Sequence, residues 1–195
     1  MLWPLSWASQ IDGPSLQTPA GTSIVVDRGR KVIYRRNVDV DLIKKLVAAM
    51  NDARVRYKIF GGAALNLHGL SRFTEDLDIF IEPTHDNVER LKTALRTVFA
   101  DSNIDEITAN DLLGDYPSVQ YVPPDEGAFH IDIVTRLGEA FRYEDLEASE
   151  IDFAGVPVIV VTPQQLYRMK RDTIRTKDRA DAEALQRRFN LDDEP

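Results

Sequence analysis

The chain has 195 residues, no cysteine and a formal net charge of −8. That length fits one domain, or one domain with a small appendage, and is enough to bury a core without covalent staples. The lack of cysteine excludes disulfides, thiolate zinc sites and a cysteine nucleophile, and the negative charge argues against a protein that coats nucleic acid non-specifically, while leaving room for a local basic patch.

Residues 1–22 hold Pro4, Gly13, Pro14, Pro19 and Gly21 without periodicity. They read as a flexible arm, with Trp3 and Trp7 available to pack on a partner. The opening run is interrupted by Pro4 and has neither a basic n-region nor a long apolar h-region, so it does not read as a signal peptide. No stretch reaches the roughly 20 apolar residues of a membrane helix. The expectation is a protein without a membrane partner, in a reducing cytoplasm.

From residue 23 the chain reads as one unit to residue 190. Ser23–Asp27 and Lys31–Tyr34 flank Arg28-Gly29-Arg30 as a hairpin. Val40, Ile43, Leu46, Val47 and Met50 lie at helical spacing within residues 39–53. Arg56–Phe60 is a short strand, Gly62–Gly69 a short helix ended by Gly69, and Leu77–Ile81 a second strand. Thr84 suits the N-cap of a helix with Val88, Leu91, Leu95 and Val98 on one face. Residues 104–116 fit either a loop or a short helix. Val119–Val122 and Phe129–Thr135 read as strands joined by the Pro123–Gly127 turn, and Ile151–Phe153 pairs with Val156–Val161 around Ala154-Gly155. From Pro163, capped by Thr162, the chain turns helical. Leu166, Met169 and Thr173 share a face, and a last helix over 178–189 turns Ala180, Ala184, Leu185 and Phe189 inward. These elements predict an α/β (α+β) fold, a mixed β-sheet flanked by helices, with a helical C-terminal part over 163–190.

Two short elements point to chemistry. Gly61-Gly62 closes an apolar run and opens a helix. Backbone N–H groups at such a junction favour an anion, and glycine lets a phosphate approach closely. Taken alone, the pair is more often a tight turn that binds nothing. Fourteen residues after Gly62 comes Asp76-Leu77-Asp78, followed by Ile79-Phe80-Ile81. On an extended chain residues two apart share a side, so both carboxylates face one place at the mouth of a buried strand. Their mutual repulsion is relieved by a divalent cation, and hard Mg²⁺ takes carboxylate and phosphate oxygens together.

Asp132, in Phe129-His130-Ile131-Asp132-Ile133-Val134, lies in a strand that reads as apolar on both sides. A charge there needs an arginine partner or a metal. Shared with Asp76 and Asp78, it makes a two-Mg²⁺ site able to activate a hydroxyl and stabilise a leaving pyrophosphate. Arg72 and Thr74 lie between the glycines and the acids. Arg72 suits a phosphate, or equally a salt bridge to Glu75 or Asp76. Lys170 can project from the C-terminal helices over a triphosphate, although a basic run there is more commonly a solvated face. Asp178 and Asp181 read as caps and ion-pair partners. His68, His85 and His130 show no zinc-ligand spacing, and there is no nucleophile elbow, Walker A or Rossmann pattern.

Gly61-Gly62, Asp76-x-Asp78 and Asp132 together resemble the nucleotidyltransferase superfamily typified by DNA polymerase β. The finer string Gly-Gly-x-Ala-x-x-x-x-Gly-x-x-Arg-x-Thr-x-Asp-x-Asp, with Leu166–Lys170 and Lys177-Asp178-Arg179-Ala180-Asp181 later, is similar to the minimal bacterial branch that includes AbiEii-type toxins. The resemblance covers roughly residues 55–190. It implies Mg²⁺-dependent transfer of a nucleoside monophosphate from an NTP to a hydroxyl of RNA or protein, with Asp76, Asp78, Asp132 and Lys170 catalytic and Gly61, Gly62, Arg72 and Thr74 binding the nucleotide. Toxin members pair with an antitoxin protein. The branch usually carries Ser where this chain has Gly62. Two rivals remain at this stage: a non-catalytic nucleotide- or partner-binding module of the same fold, and a small-molecule enzyme of the aminoglycoside-modifying kind.

Overall fold

The computed structural model describes residues 22–27, 30–35, 40–115, 117–124, 126 and 129–191. The arm expected over 1–22 therefore lies outside the described residues apart from Thr22, as does part of the Pro123–Gly127 turn. The chain divides into two compact units, Met1–Arg36 and Asn37–Pro195. In the first, β1 (Thr22–Asp27) pairs antiparallel with β2 (Arg30–Arg35), Thr22 opposite Arg35 and Asp27 opposite Arg30. This is the hairpin expected around Arg28-Gly29-Arg30.

The second unit opens with α1 (Val40–Asp52) and β3 (Tyr57–Ile59), followed by α2 (Gly61–Leu67), β4 (Asp76–Ile81) and α3 (His85–Val98). A 3₁₀ turn over Ser102–Glu106 and α4 (Ala109–Leu113) lead into β5 (Ser118–Tyr121) and β6 (His130–Val134). A two-residue ribbon of β7 (Arg136–Leu137) and β8 (Phe141–Arg142) precedes β9 (Ala148–Phe153) and β10 (Val156–Val161), and α5 (Pro163–Arg171) and α6 (Thr176–Phe189) complete it. Six strands form one mixed sheet in the order β5-β6-β4-β3-β10-β9. β6 and β4 run parallel, as do β3 and β10, while the other neighbours are antiparallel. The fold is thus α/β with a mixed sheet flanked by helices.

Alternation along the strands sorts the two faces. Ile59, Leu77, Ile79, Ile81, Ile131, Ile133, Val158 and Val160 have no solvent exposure. They form one aliphatic face, and Tyr57, which shares it, donates its hydroxyl to Asn51 of α1 at 3.0 Å. Helix α1 buries Leu46, Val47 and Met50 completely, as the helical spacing predicts. On the opposite face Phe60 and Phe80 meet at 4.6 Å between ring centroids, and beyond them the face turns polar at Asp78 and Asp76.

Local chemistry explains the element ends. Thr84 and Thr162 accept from the backbone N–H three residues on, capping α3 and α5, and Pro163 occupies the first turn of α5. The 104–116 stretch, open from sequence, contains α4 because Thr108 and Asp111 form a reciprocal capping box. Ala154 and Gly155 both sit at positive φ (52° and 85°) in the β9–β10 turn, the conformation whose twist suits a two-residue hairpin loop. Helix α6 begins at Thr176, earlier than 178, and carries no side-chain cap, so Asp178 is not its cap. Its buried stripe is Asp181, Ala182 and Leu185, whereas Ala180 is exposed. Arg72 and Lys170 lie beside Asp181 on that stripe, which makes an inward carboxylate tolerable.

Candidate active site

The register of two parallel strands builds the site. Asp76 stands beside His130, Leu77 beside Ile131, and Asp78 beside Asp132. Leu77 and Ile131 point into the core with no exposure. Their neighbours, Asp76, Asp78, His130 and Asp132, therefore share the opposite face. Strand β4 begins at Asp76 rather than Leu77, so both acids of the pair are held by the ladder. Asp76, His130 and Asp132 each offer one ligand atom, all within 4.8 Å of one another. Strand β6 is not apolar on both sides: His130 and Asp132 are half-buried where Ile131 and Ile133 are buried, so Asp132 escapes the desolvation expected of it. Nor is its partner an arginine. Gln120 of β5, directly opposite, donates Nε2 to Asp132 Oδ1 at 2.9 Å. His130 Nε2 lies 3.8 Å from Asp132 Oδ2.

Asp78 turns toward the diglycine. It accepts a hydrogen bond from the Gly62 backbone N–H. Gly61 has φ of 64°, and a Cβ there would stand 1.8 Å from Asp78 Oδ2. Only glycine satisfies both the left-handed backbone and that approach. Burial first, and then the charges of Asp76 and Asp132, push the Asp78 carboxyl up to about 7, against the opposing influence of Lys170 and the Gly62 N–H. A Cβ on Gly62 would lie 2.7 Å from Thr74 Oγ1 and 2.9 Å from Thr74 Cβ. Thr74 thus fills the space in which a seryl side chain at position 62 would stand. Its hydroxyl donates to Asp76 Oδ1, fixing that carboxylate.

The C-terminal helices meet this face. Lys170 Nζ lies 2.6 Å from Asp178 Oδ1 and 3.1 Å from Asp181 Oδ2. Arg72 Nε lies 3.0 Å from Asp181 Oδ1, an ion pair without hydrogen-bond alignment. Asp181 is thus a partner of Arg72 that the local sequence does not suggest. Asn66 holds the Arg72 backbone from both sides, accepting from its N–H at 2.7 Å and donating to its carbonyl at 2.8 Å. A cavity of about 840 Å³ opens between these groups, walled by Gly61, Arg72, Asp78 and His130 on the sheet side and by Lys170 and Arg175 on the helical side. Of β6, His130 rather than Asp132 lines it. His130 and Gln120 escape motif reasoning, whereas Asp181 is read there as an ion-pair partner without its link to Arg72. Yet His130-x-Asp132 repeats the spacing of Asp76-x-Asp78, a same-face signal that a search for zinc pairs passes over.

Diglycine, paired acids and a later acid on a neighbouring strand, set at one end of a mixed sheet, define a nucleotidyltransferase. More particularly, residues 59–192 match the model of the nucleotidyl transferase AbiEii toxin, Type IV TA system, and the chain belongs to that family. No curated protein matches the chain. Among solved structures, ANT(2'')-Ia in complex with adenylyl-2''-tobramycin is 17% identical, with 77% of this chain and 88% of that chain covered and a TM-score of 0.49. An antigenic nucleotidyltransferase-like protein from Paracoccidioides brasiliensis is 14% identical over 75% of this chain and 74% of its own, with a TM-score of 0.47. Among the described residues no helix is long and apolar enough to cross a membrane.

Proposed function

We propose that this chain transfers a nucleoside monophosphate from an NTP to a hydroxyl of RNA or protein, using Mg²⁺, and that it is the toxin of a toxin–antitoxin pair. The observation that carries the transfer reading is the register of β4 and β6, which sets Asp78 beside Asp132, with Asp76 two residues along, against a glycine wall. Three carboxylates in that arrangement fit two hard divalent cations held by Asp76, Asp78 and Asp132. Such ions supply the charge that favours ionisation of an attacking hydroxyl and stabilises departing pyrophosphate.

The chain's own residues do the positioning. Gly61 and Gly62 let Asp78 and Thr74 close against the backbone at the start of α2, so that a triphosphate meets both glycines beside the metal-binding acids. Arg72 and Lys170 offer positive charge toward the same cavity and are steadied by Asp181 and Asp178. Thr74 orients Asp76, and Gln120 orients Asp132. Asp132 favours loss of the hydroxyl proton by taking it up. The acceptor oxygen then bonds to the α-phosphorus as the bond to pyrophosphate breaks. Catalysis of this type rests on positioning and charge stabilisation.

Arg175 and Lys177 line the same cavity and make no ion pair among the described residues, which favours an acceptor bearing phosphates. The toxin role, and with it an antitoxin protein as partner, follows the family's description. The test is incubation with each labelled NTP, Mg²⁺, total RNA and cell lysate, comparing the wild type with Asp78→Asn. Label on RNA or protein from the wild type alone supports the assignment, and equal labelling by both proteins defeats it. Thermal stabilisation by NTP and metal with no turnover would instead support the non-catalytic module, and labelling confined to an added aminoglycoside would move the acceptor to small molecules.

A further inference from the structure

We propose that His130 is itself a metal ligand and that it makes one of the two cation positions a mixed nitrogen–oxygen site, selecting a first-row transition dication over Mg²⁺. This rests on the reading that the cleft holds divalent metal for nucleotidyl transfer. It adds a ligand that the three-carboxylate picture lacks, and it changes which ion is preferred.

Three observations converge on His130. It is the register partner of Asp76 across the parallel β4–β6 ladder, and it shares a face with Asp132 two residues along its own strand. Its ring offers a ligand atom within 4.8 Å of ligand atoms on both acids. It also forms part of the cavity wall, which Asp132 does not. The 3.8 Å from its Nε2 to Asp132 Oδ2 is too long for a hydrogen bond. It is short enough for both atoms to sit about 2.1 Å from one ion. The other oxygen of Asp132 is already engaged by Gln120, which turns Oδ2 toward His130. Hydrogen-bonded ligating carboxylates of this kind are a usual support of a metal's ligands. All the donors lie on two adjacent strands, where the backbone ladder holds them with little freedom to adjust.

The donor set decides the ion. Mg²⁺ demands oxygen donors and sheds water reluctantly, so an imidazole is a poor ligand for it. Transition dications accept imidazole nitrogen beside carboxylate oxygen, with affinity rising along the series from Mn²⁺. Mn²⁺ stands at the weak end of that series, so a preference measured with Mn²⁺ understates the preference for later members. Coordination through Nε2 requires the tautomer protonated on Nδ1.

The experiment adds Mn²⁺ to the metal-free full-length protein and records pulsed electron paramagnetic resonance for nitrogen coupling to the bound ion. Calorimetric titrations with Mn²⁺ and with Mg²⁺ run alongside, for the wild type and His130→Gln. The expected result is nitrogen coupling in the wild type that disappears in His130→Gln. Mn²⁺ affinity should fall about tenfold or more, with a clearly smaller loss for Mg²⁺. Nitrogen coupling in the wild type decides the ligand question even if the variant folds poorly. Mn²⁺ bound with oxygen coordination only would overturn the inference and leave the transferase reading intact, because three carboxylates suffice to hold metal. Equal losses of Mn²⁺ and Mg²⁺ affinity in His130→Gln would overturn the claimed selectivity. Failure of any divalent ion to bind would overturn this inference and the metal reading beneath it.

Discussion

Asp78 carries the largest electrostatic strain in the site. Burial and the charges of Asp76 and Asp132 raise its carboxyl from the ordinary 3.8 to about 7. In the metal-free protein the folded state therefore favours the protonated form. The linked stability is fully present below the unfolded value and is lost as pH rises from about 4 through about 7, amounting to roughly 2–4 kcal/mol. Asp78→Asn keeps an acceptor for the Gly62 N–H and removes the charge. In thermal melts with chelator, Asp78→Asn should exceed the wild type in Tm at pH 8 and match it near pH 4. Adding divalent metal at pH 8 should raise the wild type more than Asp78→Asn, which keeps Asp76, His130 and Asp132 as ligands but loses those of the other position. Parallel pH profiles for the two proteins would refute this account of Asp78.

At the level of elements, the join between α5, α6 and the segment before β4 runs through one buried carboxylate. Asp181 faces both Lys170 and Arg72, with a side chain only 9% exposed. Among the described residues Asp178 pairs with Lys170 alone and is 20% exposed. Removing one partner of a buried pair leaves an uncompensated charge, which costs several kcal/mol. Asp181→Ala takes the carboxylate from Arg72 and should therefore destabilise by about 2–4 kcal/mol, and Asp178→Ala by clearly less, because Lys170 and Arg72 both keep Asp181. Denaturant unfolding of the two variants checks the order, and the reverse order would show that Asp178, not Asp181, ties the helices together. Part of this arrangement is readable in sequence. The ion-pairing role of both acids follows from their basic neighbours, whereas the inward direction of Asp181 depends on Arg72, 109 residues earlier in the chain.

For the molecule as a whole, the matched family region starts at residue 59, yet the core begins earlier. Helix α1 contributes Leu46, Val47 and Met50, all without exposure, and packs against α3 and β10. Burying each such side chain is worth about 1.5–3 kcal/mol, and a domain's whole margin is about 5–15 kcal/mol. A chain beginning at Asn37 should keep cooperative unfolding with a Tm within a few degrees of full length. One beginning at Arg56 should fail to fold cooperatively. Calorimetry on both truncations tests where the folding unit starts, and a stable product from Arg56 would show α1 to be dispensable.

Much of this architecture is legible along the chain, because it rests on local rules. Alternation placed the two acids of Asp76-x-Asp78 on one side, helical spacing marked α1 and α3, and threonines before helices announced their starts. The diglycine marked a bend where nothing but hydrogen fits beside a carboxylate. What no local rule supplies is which strands become neighbours and in what alignment. The parallel pairing of β4 with β6 turned Asp132 from an isolated charge in an apolar run into a half-exposed member of a cluster. The same pairing brought His130 level with Asp76 and set Gln120 behind Asp132. Those outcomes belong to the three-dimensional packing, since a shift of one residue between the strands would send every one of these side chains to the opposite face.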